Sequence, residues 1–439
     1  MNKIELNKGQ AEAVRLGKEF LKDPTKKIFT LKGAAGTGKS FVSNFILDGF
    51  QGFVVGIVYS HSARNVLASA MPNKMVRTIA SGIGLTMDYD DKGKEKFVRN
   101  ENTKKPLLSR VDLVVIDEVS MLGQDMLDNI LQVIPSHAKI IALGDLCQLS
   151  SPDGSGKISP FFNYEGYELT EVMRYKNPAI KLGDEFRNEI GITLKTGYGD
   201  VGMLTKRTGR VGKLDASGEG YSFAESEEAA IEEICQRFKE TSDKEYGCRI
   251  LAYRNATVDA VNANIRTILY GEDAELPFVP NELIIANNNL GNGVIFNGMS
   301  SRVISYEEYF HDIYKLPCLK LKLSNAEFLE DALGERKPIL VIDPQKGVDR
   351  YEQILEDFEA KIKRGESTWR EKGEFKNQFL NYSFGYCSTI YKSQGLTLDY
   401  CLTLESDVMS IPKLSTLQKM QAMYVAITRA KKVSLIYKE

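Results

Sequence analysis

Eight consecutive residues, Gly33-Ala34-Ala35-Gly36-Thr37-Gly38-Lys39-Ser40, follow the spacing GxxxxGK[ST]. Glycines so placed let the backbone curl until its N–H groups point at phosphate oxygens. The lysine then reaches the terminal phosphates and the serine hydroxyl can ligate Mg²⁺. An apolar run, Ile28–Leu31, leads in, and Phe41, Val42 and Phe45 mark the apolar side of a helix leading out. Val114-Val115-Ile116-Asp117-Glu118 is an apolar strand ending in two acids. Beside a phosphate loop, the first acid holds Mg²⁺ and the second, Glu118, is placed to orient or deprotonate an attacking water. A third run, Lys139–Leu143, ends in Gly144-Asp145, with Gln148 three residues on. A polar side chain there either senses a γ-phosphate or closes a strand-end turn. These are the parts of a site that binds ATP with Mg²⁺ and cleaves it.

The elements that must position these residues follow from the pattern of the chain. The first 175 residues alternate short Ile/Val/Leu runs, Val54–Val58 and Val111–Ile116 among them, with helical stretches, as strands buried on both faces of a parallel sheet do. Residues 82–109 break that rhythm: from 92 to 105 the basic Lys92, Lys94, Lys96, Arg99, Lys104 and Lys105, with the acids Glu95 and Glu101 among them, flank one aromatic, Phe97. A stretch of that length is long for a plain connection. After Tyr175 the chain turns helical and charged, then shows a strand at Arg249–Tyr253 and a helix with Val258, Val261, Ile265 and Leu269 on one face. Between 272 and 384, short runs at Leu283–Ile285, Val294–Phe296, Arg302–Ile304, Leu319–Leu323 and Pro338–Ile342 read as an antiparallel β module. An amphipathic helix around Tyr351, Ile354, Leu355, Phe358 and Ile362 follows it. From 385 onward strand and helix alternate again.

The composition sets bounds on this reading. The 439 residues carry 57 Lys+Arg against 59 Asp+Glu, a net charge of −2, which excludes a globally basic coat but not a local basic track. Six scattered cysteines without a CxxC pair read as reduced thiols. The longest apolar run, Phe53–Tyr59, is far short of the ~20 residues of a membrane span. No signal segment is visible, and the expected location is the cytoplasm.

The series GAAGTGKS, VVIDEVSM, LGDLCQL, ELTEVMRY, STIYKSQGLTLD and YVAITRAKK, in that order, resembles superfamily 1 helicases of the 5′→3′ subgroup. Within them it is most similar to the Dda type of tailed bacteriophages, relatives of RecD. The resemblance implies an α/β fold of two RecA-like P-loop motor domains, each with an insertion. The first motor domain would comprise 1–81 and 110–175, with 82–109 as a β-hairpin pin that has Phe97 near its tip. The second would comprise 176–271 and 385–439, with 272–384 as an SH3-like β module and its extension. It further implies that Gln10 recognises adenine, that Arg174 and Arg429 reach the γ-phosphate across the cleft, and that Gln394 and Gly395 couple nucleotide to strand.

By the same resemblance, Ser60, His61 and Thr78 in the first domain and Ser388, Thr389 and Lys392 in the second line the DNA track. The chain departs from the family pattern at Tyr59 (often proline), Ala80 and Tyr391 (often histidine), and at Ser150 and Ser151, where a proline is usual. Tyr59 and Tyr391 thereby become candidate stacking partners for bases. The implied activity is an ATP-dependent helicase moving 5′→3′ on single-stranded DNA. Forked duplex is the expected substrate, replisome or single-strand-binding proteins are expected partners, and the expected state is a monomer, host-cytoplasmic if phage-encoded. A nucleotide kinase would leave the second α/β domain with Thr428-Arg429 unexplained. A decayed, non-enzymatic DNA-binding protein would lack at least one of Lys39, Ser40, Asp117, Glu118, Gln148, Arg174 and Arg429.

Overall fold

The computed structural model describes residues 5–438 except 60, 91, 100–104, 152–155, 174–176, 245, 292, 293 and 331–334. In its first part the chain forms β1 (Ile28–Gly33), β2 (Val54–Val58) and β3 (Met75–Thr78). A separate hairpin of β4 (Leu85–Tyr89) and β5 (Glu95–Arg99) follows, and then β6 (Leu113–Ile116), β7 (Lys139–Gly144) and β8 (Gly166–Leu169). Six of these strands make one parallel sheet, ordered β3-β2-β6-β7-β1-β8. Alternate residues feed opposite faces: Leu113 and Val115 join one apolar core, Val114 and Ile116 the other. That double burial is why these strands read as unbroken apolar runs.

The second part contributes β9 (Lys213–Leu214), β10 (Gly220–Phe223) and β11 (Cys248–Ala252). An antiparallel sheet is then inserted, built from β12 (Leu283–Ala286), β13 (Ser300–His311), β14 (Leu316–Leu323), β15 (Phe328–Glu330), β16 (Arg336–Ile342) and β17 (Tyr382–Phe384). The chain returns as β18 (Cys387–Thr389), β19 (Leu398–Leu404) and β20 (Ala430–Tyr437). The second sheet is ordered β18-β11-β19-β20-β10-β9 and is parallel except at its β9 edge. The inserted sheet is ordered β15-β16-β14-β13-β12-β17. The fold is thus α/β, with two parallel-sheet units and an additional antiparallel sheet.

Two expectations need correction. Val294–Phe296 is not a strand; Ile295 makes a single bridge to Leu290, the chain having to turn before β13. Phe97 is not at the hairpin tip. The turn falls at 90–94, and Phe97 pairs with Met87 inside the ladder, because the register starts at Tyr89–Glu95. The turn itself is covered: Gly93 lies against the Trp369 ring and Tyr89 lies against Gly373, both on the helix Trp369–Lys376 of the second insertion. Neither glycine has room for a Cβ.

Candidate active site

The phosphate loop leaves β1 at the carboxyl edge of the first sheet, where ligands of open α/β sheets bind. Gly36 and Gly38 have φ of +82° and +86°, which side chains rarely adopt. Lys39, at the start of the helix Lys39–Leu47, donates from Nζ to the carbonyls of Gly33 (2.8 Å) and Ala34 (3.0 Å), so its ammonium lies inside the curl of the loop. Ser40 Oγ donates to Asp117 Oδ2 at 3.2 Å, bringing a hydroxyl and a carboxylate to one point. Two hard oxygen donors suit Mg²⁺, which takes one or two protein ligands and completes its shell with phosphate and water.

Glu118 follows at φ +53°, a left-handed backbone for a non-glycine residue. Such strain costs on the order of 1–3 kcal/mol and clusters at functional sites. Burial pushes the Asp117 carboxyl up, with Lys39 acting against it. Burial and the neighbouring Asp117 charge push Glu118 up to about 7, opposed by Lys39 and Arg429. A carboxyl so shifted is poised to accept a proton near neutrality.

The loop and both acids line a cleft of about 560 Å³ closed from the other side by Gly395, Leu396, Thr397, Thr428 and Arg429 of the second unit. Arg429 is buried, 4% exposed, and held by the carbonyls of Val425 (3.1 Å) and Leu396 (3.2 Å). Gln148 lines the same cleft, and Gln394 Nε2 stands 3.5 Å from its Oε1 across the domain boundary. Arg174 lies outside the described residues. The segment that leads to it crosses the phosphate loop, where Met173 N donates to Gly36 O at 2.9 Å. Gln10 is buried beside the loop: it closes a capping box with Asn7, and its Nε2 donates to Thr37 O at 3.3 Å. Its amide is therefore engaged within the protein on both sides.

Of the residues assigned to the strand track, Ser388, Thr389 and Lys392 come together in a cavity of about 390 Å³ between the second unit and the inserted sheet. The Ser388 hydroxyl is buried and has no hydrogen-bond partner among the described residues. Sequence reasoning missed Asn255, Asn287 and Asn381, which line the same cavity; Asn287 Oδ1 accepts from Lys392 Nζ at 2.7 Å. The run Asn287-Asn288-Asn289 was the visible signal. Thr78 ends β3 paired with Val58, the last residue of β2, and Tyr59 follows directly after it, exposed. Ser60 and the side chains of His61 and Phe97 lie outside the described residues. Tyr391 is half-buried, edge-on to Tyr253 at 5.8 Å between ring centres, and packs on the second unit's core rather than standing free for a base. Arg64 sits 5.5 Å over the Phe296 ring and joins the first unit to the inserted sheet.

Comparison with known proteins supports the same picture. A family profile described as "AAA domain" matches residues 5–188. The chain is 25% identical to the ATP-dependent DNA helicase dda of Enterobacteria phage T4, over 97% of this chain and 98% of that one. It is 26% identical to the ATP-dependent DNA helicase Pif1 of Campylobacter jejuni over 40% of this chain and 42% of that one. Among solved structures, Bacteroides Pif1 bound to single-stranded DNA shares the fold at a TM-score of 0.53 and 14% identity, covering 99% of this chain and 92% of that one. The Bacteroides Pif1 complex with ADP-AlF3 and single-stranded DNA does so at 0.51 and 16%, with the same coverage.

Proposed function

We propose that this chain, similar in sequence and fold to superfamily 1 helicases of the Dda/RecD/Pif1 type, is an ATP-dependent DNA helicase that moves 5′→3′ along single-stranded DNA and separates the duplex ahead of it. One observation carries the reading: a single cleft joins Lys39, Ser40, Asp117, Glu118 and Gln148 of one parallel-sheet unit to Gly395 and Arg429 of the other. A cleft built from two units changes shape when its ligand is bound and cleaved, and that shape change is what a translocating motor needs.

In this account the loop N–H groups and Lys39 hold the phosphates. Ser40 and Asp117 would hold Mg²⁺, which supplies charge neutralisation at the β- and γ-phosphates. Glu118 orients the attacking water and takes its proton. Arg429, with Arg174 by resemblance, meets the charge that develops on the transferred phosphoryl group when the units close. The strand lies along Tyr59, Ser60, His61 and Thr78 in the first unit and Ser388, Thr389 and Lys392 in the second. The domain limits are those read from the sequence, with the 82–109 hairpin as the wedge. Direction, monomeric state, cytoplasmic location and single-strand-binding partners rest on the resemblance alone.

The test is ATP turnover with and without single-stranded DNA. Turnover should be low alone and rise strongly with DNA, and Lys39→Ala should abolish both. Turnover indifferent to DNA would overturn the reading.

A further inference from the structure

The loop 145–149 leaves the first sheet and divides its side chains between the units, with Leu146 against a core of the first. Gly144, the last residue of β7, is wedged between Val119 and Phe162, with no room for a Cβ. Beyond it the environment changes. Cys147 and Leu149, 6% and 1% exposed, belong to the apolar core of the second unit together with Phe186 and Met423. Burial there pushes the Cys147 thiol up to about 12.

Asp145, 0% exposed, is gripped by that unit from two helices. Arg187, on the helix Pro178–Thr196, pairs with its Oδ1, and Tyr424, on the helix Thr416–Ile427, donates its hydroxyl to Oδ2 at 2.7 Å. The Arg187 guanidinium lies 6.0 Å over the Tyr424 ring. Gln421 Nε2 adds a contact to Leu146 O at 3.4 Å. Asp145 in turn shapes the loop, because Oδ1 accepts from Cys147 N (3.0 Å) and its carbonyl from Gln148 N (3.1 Å). Gln148 is thereby turned back into the nucleotide cleft.

We infer that Tyr424 and Arg187 are positioning residues that clamp Asp145 and so tie the Gln148 loop of the first unit to the second, Arg187 also reaching Glu168 on β8 at 3.3 Å. A buried carboxylate pulled from both partners is strongly unfavourable, so opening of the cleft cannot leave the loop behind. A ligand contact at Gln148 therefore bears directly on the angle between the units. The same helix that carries Tyr424 leads into Arg429, with Thr428 Oγ1 donating to Tyr424 O at 2.7 Å. The clamp thus registers cleft residues from both sides. This inference rests on the ATP-driven motor reading and adds to it the residues that transmit closure.

The experiment compares the parent with Tyr424→Phe, which keeps the ring and loses the hydroxyl, and with Arg187→Gln. Base pairs separated per ATP hydrolysed are measured on a forked duplex, alongside the KM for ATP and thermal unfolding. Each variant should separate about tenfold fewer base pairs per ATP, the scale of losing one hydrogen bond to a charged group, with the KM for ATP within about twofold of the parent. A tyrosine that merely supports the core would lower the melting temperature and reduce hydrolysis and unwinding together, leaving the ratio at the parent value. That result in both variants overturns the clamp while the helicase reading stands. A parent that hydrolyses ATP with DNA but separates no strands overturns both.

Discussion

Lys39→Ala removes a phosphate contact, whereas Glu118→Gln keeps the shape of the side chain and removes only its charge. The first should weaken nucleotide binding. The second should leave ATP bound and unhydrolysed, because Ser40, Asp117 and the loop remain in place. Equilibrium binding and single-turnover hydrolysis separate the two, and near-parent turnover by Glu118→Gln would remove it as the water-positioning group. Arg429→Ala should cut DNA-stimulated turnover by about 10³-fold or more, with a far smaller effect on ATP affinity, as for an arginine finger. A several-fold loss would make Arg429 a helix-end brace on the carbonyls of Val425 and Leu396. The residues most legible in the sequence were those whose spacing is local: Gly33–Ser40 and Asp117-Glu118 need only their neighbours to define them. Asn255, Asn287 and Asn381 share a cavity but come from three distant segments, so the run at 287–289 could mark one of them and not the set.

The hairpin of β4 and β5 is rooted on the first unit by Leu85, while its turn end is braced by the second insertion. Gly373 is covered by Tyr89, and Gly93 by Trp369. Gly373→Leu should therefore displace the hairpin and lower duplex unwinding several-fold, while single-strand-stimulated ATP turnover stays close to the parent, since the nucleotide cleft is built elsewhere. Equal unwinding by a well-folded Gly373→Leu protein would separate the hairpin from strand separation. The seam between the second unit and its insertion rests on Glu282, fully buried, which accepts from Arg266 (2.7 Å), Tyr386 (2.8 Å) and Val279 N (2.9 Å). Glu282→Ala leaves a buried guanidinium unpaired and should cost about 3–5 kcal/mol in denaturant unfolding. A loss below about 1 kcal/mol, the scale of an exposed pair, would mean water reaches Arg266. Strands buried on both faces were readable as apolar runs, and β2 and β7 lie where those runs predicted. The edge strands β3 and β8 carry mixed residues and were not. The position of Phe97 within the ladder depends on where the turn falls, which composition does not fix.

At the scale of the whole molecule, a net charge of −2 coexists with the proposed strand track, to which Lys392 is assigned. Single-strand binding should weaken with salt all the same, with a log–log slope of about −0.7 per phosphate neutralised. A flat response would mean that binding does not run through phosphates. The two-unit plan was legible because motif residues recur in order along the chain. The rooting of the 145–149 loop in the second core was not, since it is a contact between residues more than 30 positions apart in sequence and often far more. The central claim is that closing of this cleft on ATP drives a strand through the molecule in one direction. It is met most directly by strand separation on two duplexes that differ only in carrying a 5′ or a 3′ single-stranded tail, with ATP and Mg²⁺ present. The account predicts separated strands from the 5′-tailed duplex alone and none without ATP. Separation from the 3′-tailed duplex alone would contradict the direction, and separation from neither, with ATP consumed, would contradict the claim itself.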